Sequence, residues 1–176
     1  MSTQQLILEL TLIGSMFLIT GFFLFRSYNS SDALSLKAQK ILTGLLGAFL
    51  LMAGTVKFFD PFTTMFAKQI ALSELPFPTL SRWAGQLGEM TAGVLLLVVM
   101  IGGRTLNTEL RNKAMLASTL LTTAIMVVAV YVHLLPSVPA EVLPLQSKPP
   151  VMTLFILGLA WLNAYLYNKN KQPLSK

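Results

Sequence analysis

No cysteine occurs in the 176-residue sequence. Its absence excludes disulfide exchange, thiolate nucleophiles and iron–sulfur clusters held by the chain's own thiolates. The one histidine, His133, leaves no second imidazole for a haem held between two histidines of a single chain. Charge is scarce as well: Asp, Glu, Lys and Arg make up 11% of the residues, against roughly 25% in soluble domains. No G-x-x-x-x-G-K-[ST] loop, zinc motif or nucleophile elbow is present, so nothing points to nucleotide hydrolysis, a metal centre or nucleic-acid binding. Internal repeats and low-complexity tracts are absent too.

Apolar residues are abundant, at 54% of the chain. A chain this short does not need so much apolar surface for a water-soluble core, and the expectation is one membrane domain covering residues 1–176. Five runs approach the roughly 20 residues that cross about 30 Å of hydrocarbon: 6–25, 41–59, 84–101, 115–135 and 151–167. The expected fold class is therefore an all-α membrane protein with five transmembrane helices. The run 6–25 has no basic n-region and no A-x-A-like site, so it is read as a retained helix rather than a signal peptide.

The net charge of +6 is distributed as topology signals are. Segments 26–40, 102–114 and 168–176 carry Arg26, Lys37 and Lys40; Arg104, Arg111 and Lys113; and Lys169, Lys171 and Lys176. The other face has Lys68, Arg82 and Lys148, with Lys57 at a helix end. The positive-inside rule then puts the N-terminus outside and the C-terminus in the cytoplasm. All prolines except Pro173 fall in the two outer loops, which should be stiff and partly extended. On the inner side, Ser31 or Asp32 offers a cap for the second span. In the first outer loop Asp60-Pro61 reads as an N-cap followed by an N1 proline. Phe62, Met65, Phe66 and Ile70 recur near helical spacing after it, which predicts an interfacial amphipathic helix over about 61–72, ending before Leu75-Pro76.

At about 1.5 Å per helical residue, this topology gathers Lys57, Glu89, His133 and Glu9 in the outer leaflet. In the inner half Asn163 is the main strongly polar side chain. Lys57 has two readings: it snorkels to water, or it pairs with Glu89 across the second and third spans and opens a polar pocket outward. Glu89, on a shorter stem, reaches water less readily. His133 has no partner nearby in sequence to make a metal site; as a proton carrier it fits better, since imidazole ordinarily titrates near neutral pH. Phe58, Phe59, Phe62 and Phe66 are candidates to line an apolar slot beside the charges. Trp83 suits an outer aromatic belt and Tyr165 and Tyr167 an inner one, with Trp161 packed deeper. Gly44, Gly47 and Gly54, with Gly85, Gly88 and Gly93, would let the second and third spans approach closely. Ala84, Gly88 and Ala92 form a small-x-x-x-small strip.

"LTGLLGAFLLMAGTVKFF", an outer segment ending in "LPFP", and "AGQLGEMTAGVLLLVVMIGG" together resemble the DoxX-like family of small bacterial membrane proteins. The similarity falls on Gly47, Gly54, Lys57, Phe66, Pro76, Gly85, Gly88, Glu89 and Gly93, and is best over residues 41–103. It implies a four-helix membrane bundle over 41–167, with the helix at 6–25 as an addition, in a bacterial cytoplasmic membrane. It also implies a quinone-linked redox role, with Lys57 and Glu89 as a functional pair; since no cofactor-binding motif is visible in the chain, the electron-transfer centre would sit on a partner protein. A non-catalytic scaffold, a small proton-coupled transporter and a homo-oligomer are compatible with the same residues.

Overall fold

The computed structural model describes residues 32–102 and 106–171, with single positions between Ile7 and Phe25. Its helices are α1 (Leu34–Val56), α2 (Phe62–Leu72), α3 (Pro78–Ile101), α4 (Thr108–Leu134) and α5 (Val151–Lys171). Two 3-10 turns, Ala140–Val142 and Pro144–Gln146, lie between α4 and α5, and no strand occurs among the described residues. All the long helices, α1, α3, α4 and α5, have the length and apolar content to cross a membrane. The expected span at 6–25 falls mostly outside the described residues. Its described positions are helical, and Ser15 Oγ lies 3.7 Å from Met52 Sδ of α1.

α1, α3 and α4 begin before the apolar stretches that announced them and α5 ends after its own, because polar turns there keep forming in-helix hydrogen bonds, whereas α1 stops at Val56, short of Phe59. α1 starts at Leu34, where good helix formers in "LSLKAQK" carry it outward. The expected Ser31 or Asp32 cap is not used: Ala33 takes the N-cap position, and Asp32 instead forms an ion pair with Lys40. α3 begins with Pro78 in its first turn, a position that needs no backbone donor. Asn107 caps α4, its Oδ1 accepting from the Leu110 N–H at 2.7 Å. α5 closes on Lys169 and Lys171, cations at the negative end of the helix dipole. The short helix α2 begins one position later than expected. Pro61 is its N-cap, and Asp60 Oδ1 accepts from the Thr64 hydroxyl at 2.7 Å rather than from a backbone N–H.

α1, α3, α4 and α5 close into an up-and-down ring: α1 packs on α3 and α5, and α4 packs on the same two. The α1–α3 crossing is the tightest, for a reason visible in its glycines. A Cβ on Gly93 would stand 2.5 Å from Leu51 N and 2.7 Å from Gly47 O; one on Gly54 would stand 2.8 Å from Gln86 O. Only glycine permits backbones to approach this far. Gly88 faces α4 instead, against Ile125, and Ala92 also meets α4 where its carbonyl accepts from the Ser118 hydroxyl at 2.9 Å. The Ala84-Gly88-Ala92 strip is thus an α3–α4 seam over its second half, while Ala84 is exposed.

The distribution of polarity is that of a protein dissolved in lipid. Leu87, Val94, Val98, Leu116, Leu120, Val127, Leu154, Phe155 and Leu162 point outward. Thr43, Gln86, Ser118, Thr122 and Asn163 are buried between the helices. A water-soluble bundle would not expose so continuous an apolar belt. The chain is built as an integral membrane protein. At one end of the ring, α2 and the 3-10 turns form a cover: the Ser137 hydroxyl donates to Leu72 O at 2.9 Å, and Val132, Val138 and Leu143 make a small core of their own. Lys148 Nζ donates to Leu135 O and Val138 O, holding the loop on the C-terminus of α4.

Candidate functional site

The site begins with the end of α1. Gly54 lets α1 lie against α3 at Gln86 and Met90, and the helix stops at Val56, leaving Lys57 as its C-cap with its N–H on Thr55 O. From there the Lys57 side chain crosses to α3, and Nζ lies 2.5 Å from Glu89 Oε2. The two side chains are 18% and 10% exposed, so the pair is largely withdrawn from solvent. The pairing in the second reading of Lys57 is present: the ammonium meets the Glu89 carboxylate across α1 and α3.

α2 supplies the lid. The Phe66 ring lies with its centroid 4.3 Å from Lys57 Nζ, a cation–π contact. Gly85 of α3 makes room for it, since a Cβ there would stand 3.3 Å from the ring's Cζ. Arg82 Nη2 donates to the Thr63 hydroxyl at 2.9 Å and so ties α2 to the start of α3. One turn before Glu89 sits Gln86, 1% exposed, with both its amide oxygen and its amide nitrogen buried and without a hydrogen-bond partner. Thr122 of α4 is 1% exposed and its hydroxyl is in the same condition. Buried amide and hydroxyl groups are nearly always satisfied, so these atoms mark a polar interior with spare hydrogen-bonding capacity.

The remaining sequence candidates disperse. His133 is buried at 5% in the last turn of α4, and its Nδ1–H donates to Ala129 O of the same helix at 2.8 Å. That is a within-helix bond, and none to Lys57 or Glu89 is formed. Glu9 lies outside the described residues. The phenylalanines do not converge on one slot: Phe58 is 45% and Phe59 62% exposed. Phe58 faces Trp83 at a 6.1 Å ring separation, Phe62 is half-buried, and Phe66 alone covers the pair. Chain direction explains this, because Phe58 and Phe59 lie in the turn that leaves α1, where the backbone has already swung outward. Among the described residues no cluster of three His, Cys, Asp or Glu side chains could hold a metal ion.

A second polar group sits at the opposite end and is larger than Asn163 alone suggests. The Thr43 hydroxyl lies 2.9 Å from Asn163 Oδ1 and accepts from Gln39 Nε2 at 2.8 Å, all three residues being buried. The Tyr167 hydroxyl donates to Asn112 Oδ1 at 3.0 Å, and the Ser35 hydroxyl to Asn170 Oδ1 at 2.8 Å. Tyr167 is therefore an interior residue rather than a belt residue, whereas Tyr165 is exposed. Trp161 is exposed too, contrary to a deep packing role, with its indole N–H on the Thr123 hydroxyl at 2.9 Å. The i, i+4 spacing of Gln39 and Thr43 was the available sequence signal for this cluster.

Chemically, the α1–α3 site offers a fixed ammonium donor at the end of α1, a carboxylate acceptor and an unsatisfied amide near the middle of α3, and one aromatic face. Comparison with protein-family models, curated proteins and solved structures returned no match.

Proposed function

We propose that the protein is a DoxX-like membrane subunit that holds a quinone or quinol headgroup at the Lys57–Glu89 site, near the outer leaflet of a bacterial cytoplasmic membrane. The observation that carries this reading is the partly buried ion pair under Phe66, with Gln86 and its unsatisfied amide one turn away. A quinone presents two carbonyl acceptors on a flat apolar ring. Lys57 and the Gln86 amide are suitable donors to them, and Phe66 offers the ring a face. When a quinol is oxidised it loses two electrons and two protons. Glu89 is positioned to take one proton, the second passes to water on the side covered by α2, and both electrons pass to a redox centre on a partner protein. The five-span topology, with the N-terminus outside, belongs to the same reading; the basic residues at the Thr43–Tyr167 end support it.

Photolabelling with an azidoquinone tests this. Adducts are expected on peptides containing Lys57–Phe66 and Gln86–Glu89, competed by excess unlabelled quinone. Adducts confined to α5, or insensitive to competition, refute the reading. The direct contact between Lys57 and Glu89 also favours a second one, a purely structural bridge in a scaffold protein. Exchanging the two residues separates them. K57E/E89K that folds and retains quinone labelling indicates a bridge alone, whereas folding without labelling indicates chemistry at these positions.

A further inference from the structure

The interior cluster at the Thr43–Tyr167 end opens onto a cavity of about 90 Å³, lined by Gln39, Lys40, Thr43, Arg111 and Tyr167 on one side and by Leu36, Val99 and Met100 on the other. A single water needs about 10–15 Å³ measured in the same way. The space therefore accommodates one tetrahedral anion or a few waters, and is too small for a nucleotide base and sugar.

Charge selects among possible occupants. The described residues at this end include Lys37, Lys40, Arg111, Lys113, Lys169 and Lys171 against Asp32 and Glu109. Two helix N-termini, of α1 and α4, meet two C-termini, of α3 and α5, so the backbone dipoles offset one another and the side chains decide the sign. Arg111 is half-buried in the first turns of α4. Its planar guanidinium suits bidentate pairing with phosphate oxygens. Gln39, 7% exposed, uses its amide nitrogen on Thr43 at 2.8 Å, and an amide nitrogen carries a second N–H. Lys40 is held at the rim by Asp32, with its side chain 49% exposed.

We propose that this cavity is an anion site for a phosphate group, either the headgroup phosphate of an anionic membrane lipid or free inorganic phosphate. The apolar wall of Leu36, Val99 and Met100 suits the glycerol and first methylenes of a lipid, and the cavity lies where the spans leave the apolar belt. The site is independent of the Lys57–Glu89 pair: Thr43 and Lys57 are separated by roughly 21 Å of helix at 1.5 Å per residue.

The full-length protein in a mild non-ionic detergent tests this by native mass spectrometry, titrated separately with phosphatidylglycerol and phosphatidylcholine. Its thermal unfolding is followed in parallel in inorganic phosphate against chloride at equal ionic strength. A lipid site predicts at least tenfold preference for phosphatidylglycerol, lost about tenfold in Arg111→Gln and retained in Lys113→Gln, whose parent side chain is 72% exposed on the same end. A free-phosphate site predicts stabilisation by phosphate, abolished in Arg111→Gln, without preference between the lipids. Lys40→Gln, at the exposed rim, gives a partial loss in either case and serves if Arg111→Gln does not fold. No preference in either assay, or equal losses in Arg111→Gln and Lys113→Gln, overturns the proposal.

Discussion

Breaking the Lys57–Glu89 pair should cost stability asymmetrically. The side chains are 18% and 10% exposed and the contact is 2.5 Å, which places the pair between a surface and a fully buried ion pair. Surface pairs contribute about 0–1 kcal/mol, while removing one partner of a buried pair costs about 3–5 kcal/mol. An intermediate loss of about 2–3 kcal/mol is expected for Lys57→Met, because the short Glu89 carboxylate is then left in the bundle without a cation. Glu89→Gln should cost less, about 1–2 kcal/mol, since the amide oxygen still accepts from Lys57 and the ammonium keeps a route to water. The double variant Lys57→Met/Glu89→Met removes both charges at similar volume and should recover to within about 1 kcal/mol of the parent. At about 2–4 °C per kcal/mol for a chain of this size, Lys57→Met lowers Tm by about 4–12 °C. The assay is thermal unfolding of the detergent-solubilised protein, read by tryptophan fluorescence and checked by size-exclusion chromatography. Two single variants within about 0.5 kcal/mol of the parent, adding without coupling in the double variant, would show that the pair is held by its surroundings and contributes nothing to them.

Gly93→Ala forces a methyl against backbone atoms of α1, with Leu51 N at 2.5 Å, and should destabilise by about 1–3 kcal/mol. Gly158→Ala on α5, where a Cβ meets nothing within 4 Å, should be neutral or stabilise by up to about 1 kcal/mol in the same unfolding assay. Thr43→Val removes the hydroxyl shared by Gln39 and Asn163 and strands buried amide groups, so a loss of about 1–3 kcal/mol is expected despite the matched shape. Because the chain has no cysteine, single replacements report topology without background. Lys68→Cys and Lys113→Cys should react with an impermeant maleimide from opposite sides of sealed vesicles, and labelling from the same side would overturn the up-and-down arrangement.

The apolar runs announced each long helix but not its ends. Hydropathy marks where lipid begins, whereas a helix ends where its backbone finds other partners, at Asn107 or at the turn after Val56. Gly47, Gly54 and Gly93 were readable as contact residues, since a glycine inside a strong helix former's context needs a packing reason. Depth brought Lys57 and Glu89 to one level on neighbouring spans but left open whether the lysine reaches water or pairs; the structure has it paired. What depth could not give was azimuth. His133 lies near the same end, yet its ring turns back onto Ala129, and Phe58 and Phe59 leave the bundle at the turn where Phe66 returns to it. Tyr167 and Trp161 exchanged their expected places for the same reason. Six residues apart on one helix, they fall on different faces, and only the packing of α5 on α1 and α4 decides which face is inside.

The two polar sites have a dry stretch between them, and this bears on what the α1–α3 site does. On α1 the residues between Thr43 and Lys57 that face inward are Gly44, Leu46, Gly47, Leu50 and Gly54. Gly47 and Leu51 lie so close to Gly93 of α3 that a Cβ there would stand 2.5 Å from Leu51 N, and Leu46, Leu50, Ala92 and Leu96 are buried together in one apolar cluster. Ser118 is already committed to Ala92 O, so it offers no free hydroxyl for a proton relay. A transporter keeps its ionisable site near the midplane and alternates access to both sides. Here Lys57 lies past the end of α1 while Glu89 stands near the middle of α3, and among the described residues Arg82, Gln86 and Thr122 carry buried polar atoms without a hydrogen-bond partner. On the proposed quinone reading, protons handled at Glu89 exchange with the side covered by α2, toward which Lys57 leads from the end of α1. In sealed vesicles with a quinol oxidant system, proton release should appear on the face where a cysteine at position 68 is labelled, and its appearance on the face of position 113 would contradict a closed core.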